Sequence, residues 1–321
     1  MLLLAAPLLA GGCFDVQPPA VYPCNDTYPG CPAGLVCRGG LCVTGSDARA
    51  PDLARPDATA PDAPAPDLSP DAPPPEAGLP DGPVIDRGPI RPGLWITVPR
   101  GSFSMGSPAG ENCRDITTYL ETQHKVTLTR AFEIWNTEVT QAEFSARMSY
   151  NPSSTSTCTT SDCPVNRVKW SEAAAYCNAL NTSSASDCYS CTGSGASVSC
   201  SPALAYSGAK IYGCKGYRLP TEAEWERAYR AGTTSALYNG PLMHCNGSDT
   251  AAGLIAWYNS NASGNPRKVG GKQANAWGLY DMAGNAMEWV HDGFQKDLGS
   301  AAVTDPVGVP PVSEFRMVLR G

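Results

Sequence analysis

The sequence predicts an α+β fold of short strands, about three helices and much irregular structure, behind a non-globular N-terminal stretch. Three observations predict it. Thirty prolines and 32 glycines in 321 residues are too many for an all-helical chain. Three helix starts carry a hydroxyl residue with an acid one or three positions later. The apolar alternation that marks strands comes only in short runs, separated by long Gly- and Asn-rich connections.

Residues 1–12, MLLLAAPLLAGG, are apolar and end in small residues directly before Cys13, the pattern of a signal peptide. Leu9, Ala10, Gly11 and Gly12 before Cys13 resemble a bacterial lipobox, although no Lys or Arg precedes the apolar run. The expectation is an acylated Cys13 that anchors the protein to the membrane of a bacterial cell envelope, facing periplasm or exterior. Plain secretion and an accidental apolar start are the alternatives.

In residues 13–45, Cys24, Cys31, Cys37 and Cys42 stand among Pro, Gly and Asn with too little apolar mass for a core. Two disulfides would staple so small a module, with a zinc site as the rival. Residues 46–91 are a Pro/Asp/Ala-rich stalk in which Pro51-Asp52 recurs at Pro56-Asp57, Pro61-Asp62 and Pro66-Asp67. Proline fixes φ and the aspartates repel, so the segment is expected to be extended and disordered, reaching on the order of 130 Å at about 3.1 Å per residue. Nine acids and three arginines between 46 and 90 account for most of the net charge of -7.

Residues 92–321 form the globular domain. A strand is expected at 94–98, followed by Gly101-Ser102-Phe103-Ser104-Met105-Gly106-Ser107, and a second where Val126 and Leu128 alternate with Thr127 and Thr129 before Phe132-Glu133-Ile134. Helices are expected from Thr140 with Glu143, burying Phe144 and Met148, and from Ser171, with Ala173, Tyr176 and Leu180 on one stripe. The third start is Thr221 with Glu224, ending at Gly232. Of Glu222, Glu224 and Glu226, which could pass for general acid or base carboxylates, Glu224 is read as satisfying the first-turn N–H groups and Glu222 as complementing the helix dipole. No basic stripe suits a nucleic acid, three histidines are too few for a His-rich metal centre, and no apolar run of eighteen follows the leader.

Several motifs in order carry a resemblance. They are Gly101-Ser102-Phe103-Ser104-Met105-Gly106-Ser107, Thr137-Glu138-Val139-Thr140 and Pro164-Val165-Asn166-Arg167-Val168-Lys169-Trp170. Tyr217-Arg218-Leu219-Pro220-Thr221-Glu222-Ala223-Glu224-Trp225-Glu226 follows, then Trp277-Gly278-Leu279-Tyr280-Asp281-Met282-Ala283-Gly284-Asn285-Ala286-Met287-Glu288-Trp289. Together they resemble the formylglycine-generating enzyme (sulfatase-modifying factor) domain family, whose fold is a C-type-lectin-like variant. Met287 stands where the family usually has Trp, leaving a gap that a thioether fills only in part. The cysteine-rich insertion between 183 and 216 resembles a secreted subgroup.

The resemblance implies copper(I) on two cysteines after an Arg-Gly-Gly-Ser-Trp segment, oxidising a substrate cysteine to formylglycine with O2. The sequence stops within that segment at Gly321, so the expectation is a C-terminally incomplete domain with no assignable catalytic residue, Cu+ requiring the missing segment. A final strand returning to the first would also be missing, leaving an open edge near Trp95. Whether this chain is an enzyme stays open, the leading expectation being a monomeric binding or envelope module that meets an exported protein or surface ligand. The resemblance further implies a structural Ca2+ on Asp281 and Glu288 through carboxylates and on Gly284 and Ala286 through carbonyls. Nine cysteines from Cys113 to Cys245 leave one unpaired, with a partner in the missing tail as the simplest account. Cys188, Cys191, Cys200 and Cys214 are expected to form two disulfides, with four-thiolate zinc or redox use of the CxxC pair as alternatives.

Overall fold

A computed structural model describes residues 93–115, 120–154, 158–309 and 316–321, and ahead of them the backbone of four short strands. The chain divides into two compact units, residues 12–88 and residues 1–11 with 89–321. The first strand, β1 (Ala5–Pro7), belongs to the larger unit. In the smaller unit β2 (Tyr22–Pro23), β3 (Leu35–Arg38) and β4 (Leu41–Thr44) form an antiparallel sheet in the order β2-β4-β3, with Cys37 opposite Cys42. Cys13, Cys24, Cys31 and the stalk from 46 to 91 lie outside the described residues.

The larger unit continues with β5 (Trp95–Val98), β6 (Gly101–Met105), β7 (His124–Leu128) and β8 (Phe132–Trp135); β5 and β7 lie close to the expected strands, and β6 is an addition. β6 and β7 pair antiparallel, and β5 pairs antiparallel with β8, placing Trp95 opposite Trp135. The far edge of β8 carries β1, so β5 is an edge strand of that sheet. Alternation explains the layering. Ile96, Val98, Val126, Leu128, Phe132 and Ile134 point inward and are 8% exposed or less.

Helix α1 (Gln141–Met148) starts with the expected reciprocal cap. Thr140 Oγ1 accepts the Glu143 amide at 3.2 Å, and Glu143 Oε2 accepts the Thr140 amide at 2.8 Å. Phe144 is fully buried, but Met148 only half-buried. Helix α2 (Trp170–Leu180) begins one residue before Ser171, because Glu172 Oε2 caps the Lys169 amide at 2.7 Å while Ser171 Oγ accepts the Cys200 amide. Helix α3 (Glu222–Arg230) has its cap at Thr221, with Ala231 in the left-handed conformation at its end. Arg218 forks onto both oxygens of Glu224 at 2.7 and 2.8 Å, which fixes that carboxylate in a structural role.

The insertion folds as the antiparallel hairpin β9 (Tyr189–Thr192) and β10 (Ser199–Pro202), flanked by 3-10 turns. Beyond Gly232 the sequence reads as mostly irregular, with only short candidate strands. Instead it forms two short helices, α4 (Thr250–Ile255) and α5 (Asn259–Ala262). Asp249 Oδ1 accepts the Ala252 amide at 2.9 Å, and Asn261 Oδ1 accepts the Tyr258 amide at 2.8 Å. These side chains supply the turns that apolar periodicity does not announce.

Three strands complete the unit. β11 (Glu288–Gly293) pairs antiparallel with β13 (Met317–Arg320), and β12 (Val303–Thr304) adds in parallel to β7. β13 meets β11, and among the described residues no strand pairs with the outer edge of β5 near Trp95.

Disulfides join Cys113 to Cys245, Cys158 to Cys163, Cys188 to Cys214 and Cys191 to Cys200. The last two pin the insertion as expected, which leaves no four-thiolate zinc site there. The odd cysteine is Cys177 on α2, fully buried in the core. Burial pushes its thiol far up, so it packs as a small apolar side chain.

Candidate functional site

The loop between Leu279 and β11 carries the sequence-singled residues. Asn136 Oδ1 accepts the Gly93 and Leu94 amides at 2.9 Å, and the Asn136 carbonyl accepts the Tyr280 amide at 2.9 Å. Asn275 Oδ1 accepts the Trp277 and Leu279 amides, while its Nδ2 donates to the Ala228 carbonyl at 2.7 Å. Two buried asparagines thus dock the loop against the start of the domain and the end of α3. Asp281 and Asn285 both take left-handed backbone conformations, with φ of 56° and 74°.

Three carboxyl groups meet under this loop. Asp281 is 1% exposed, while Glu288 and Glu138 are fully buried. Asp281 Oδ2 accepts the Gly270 amide at 2.5 Å, and Glu288 Oε2 accepts the Trp225 indole N–H at 2.7 Å. Glu288 Oε1 is buried without a hydrogen-bond partner, and Asp281 Oδ1 meets no N–H or hydroxyl donor, the raised Glu138 carboxyl being the group that hydrogen-bonds to the Asp281 side chain. Burial raises all three groups: Glu288 reaches about 8, and Glu138 is lifted well above the usual carboxylate range. Repulsion from Asp281 and Glu288 adds to the effect on Glu138.

The backbone between them is tightly held. Gly284 lies so close to Trp257 that a Cβ would stand 2.4 Å from the Trp257 carbonyl oxygen. The Asn285 amide donates to that carbonyl at 2.7 Å. Asn285 Nδ2 donates to Glu138 Oε2 at 3.0 Å, and the Ala286 amide to Glu138 Oε1 at 3.2 Å. Asp281, Gly284 and Ala286 lie in this loop, Glu288 opens β11, and Glu138, from the segment leading into α1, packs among them. Glu138 was quoted in the sequence only as part of a motif. Its partners lie almost 150 residues away, and no local pattern marks it.

Two buried carboxylate oxygens with no N–H donor beside a tight turn are the kind of donor set a hard cation accepts. Among the described residues no three His, Cys, Asp or Glu side chains group closely enough to hold a metal by themselves. A cation here would need backbone carbonyls as well, which is the ligand mixture calcium takes. Met287 does not fill the gap expected of it. Its side chain is 59% exposed, so the exchange from Trp falls at the surface and leaves no core void.

A model of the Sulfatase-modifying factor enzyme 1-like domain matches residues 88–321. The chain belongs to that family. The α+β fold is accordingly the formylglycine-generating-enzyme-like one. "Chaperone protein LppX" of Paenibacillus barcinonensis is 32% identical over 179 residues, covering 49% of this chain and 61% of that protein. "Formylglycine-generating enzyme" of Mycobacterium tuberculosis is 40% identical over 97 residues, covering 28% of this chain and 32% of the other. The chain thus spans less than two thirds of either relative. Among solved structures, "Treponema denticola variable protein 1" is similar at 28% identity and a TM-score of 0.47, covering 70% of this chain and 82% of that one. The four disulfides of this sulfatase-modifying-factor-like domain suit an oxidising, extracytoplasmic compartment.

Proposed function

We propose that this chain is an envelope-displayed binding module of the family. Acyl chains on Cys13 anchor it, residues 46–91 give it reach, and the monomeric domain meets an exported protein or surface ligand. A calcium ion on the Asp281 and Glu288 carboxylates and the Gly284 and Ala286 carbonyls sets the loop that closes the domain. The spare oxygens of Asp281 and Glu288 support the ion.

The state of the cysteines carries the choice between binding and oxidation. Among the described residues eight are bridged, and Cys177 is sealed in the core. A copper(I) centre takes reduced, reachable thiolates. The second reading, copper- and O2-dependent oxidation of a substrate cysteine to formylglycine, is favoured by the relatives named "Formylglycine-generating enzyme". Supplying the purified chain with copper(I), O2 and a cysteine-containing peptide separates the two. The binding module yields no aldehyde on the peptide above a control of copper(I) and O2 without the chain, whereas aldehyde formation that requires the chain would overturn it.

A further inference from the structure

A cleft of about 430 Å³ lies between residues 158–160 and residues 265–268, lined by Cys158, Thr159, Thr160, Pro266, Arg267 and Lys268 among others. One wall is a disulfide. Cys158 is half-exposed on the cleft, whereas its partner Cys163 is fully buried. An incoming thiol therefore has one reachable sulfur, that of Cys158.

The leaving sulfur is provided for. Thr160 Oγ1 stands 3.2 Å from Cys163 Sγ. A hydroxyl at that distance favours a thiolate there. Arg267 and Lys268 bring two positive charges to the same cleft, and Asp162, 2.8 Å from Lys268, offsets one of them. Cys158 and Cys163 are only five positions apart, against 132 for Cys113 and Cys245. Opening the short ring therefore gives back far less chain entropy.

The geometry points to Cys158–Cys163 as a thiol–disulfide exchange site for a cysteine-bearing, locally acidic segment of an exported protein. A partner thiolate attacks Cys158 Sγ, the Cys158–Cys163 bond breaks, and its electron pair leaves on Cys163 Sγ. A second thiolate of the partner then attacks the partner sulfur of the mixed disulfide and releases Cys158. The partner's two thiols lose two electrons and become a disulfide. The Cys158–Cys163 bridge gains those electrons, and both protons end on its sulfurs.

The test uses the full oxidised chain, with glutathione as an anionic probe thiol and 2-mercaptoethanol as a neutral one. Samples are quenched in acid, alkylated and mapped by peptide mass. Expected is a mixed disulfide on Cys158, formed at least roughly tenfold faster than opening of the Cys113–Cys245 bridge, whose Cys245 is exposed. Thr160→Ala slows the step with both thiols, whereas Arg267→Ala combined with Lys268→Ala slows glutathione more, by roughly threefold to tenfold. Equal opening rates for the two bridges, first capture at Cys163 or Cys245, or variants that match the parent with both thiols would overturn the assignment.

Discussion

Trp225 donates its indole N–H to Glu288 Oε2, and that bond decides which oxygen of the buried carboxylate is left over. Trp225→Phe keeps an aromatic ring but removes the donor together with part of the buried ring volume. It is expected to lower unfolding free energy by about 1–3 kcal/mol, read from urea denaturation, because a buried acceptor loses its partner. An unchanged midpoint would contradict the role. Asp292, on the same strand, titrates in a useful range. Burial pushes its carboxyl up to about 7, while the Gly308 and Glu222 amides pull the other way. A carboxyl raised on folding holds its proton more tightly in the folded chain. Its stabilisation is therefore complete below the ordinary carboxylate range, about pH 4, and is lost as pH climbs through about 7. Asp292→Asn should flatten the fall in Tm across that window; an identical slope would remove Asp292 as the cause.

At the scale of elements, what was legible followed from locality. Thr140 with Glu143 and Thr221 with Glu224 announce their helices because the cap is made within four residues. Helices α4 and α5 were missed because they hold six and four residues, fixed by Asp249 and Asn261 rather than by an apolar stripe. Strand β11 was hard to read for another reason. Glu288, His291 and Asp292 are buried in it beside Val290, so alternation disappears where the loop chemistry requires polar groups inside. His291 stays neutral there, burial drawing it down to about 3. The disulfides also act between elements. Cys113–Cys245 spans 132 positions and Cys191–Cys200 nine. On chain entropy alone, replacing the first pair by serines should cost about 5 kcal/mol and the second about 2–3 kcal/mol. Thermal scans of the two double variants would check that order, and a reversed order would mean that native packing dominates.

For the whole molecule, the motifs placed the family, and the loop from Asp281 to Glu288 holds together as one unit. Glu138 was invisible because its role exists only once residues nearly 150 positions away are folded against it. Gly284 shows the same dependence on tertiary contact. Gly284→Ala would press a methyl against the Trp257 carbonyl, and a loss of about 1–3 kcal/mol is expected from equilibrium unfolding. The most direct measurement is Tm of the full chain with Ca2+ and with chelator, for the parent and for Asp281→Ala. If the spare oxygens of Asp281 and Glu288 hold a calcium ion, Ca2+ at a hundredfold excess over Kd should raise Tm by about 5–10 °C, with the rise lost in the variant. Equal Tm in Ca2+ and chelator, or a rise that survives Asp281→Ala, would contradict it.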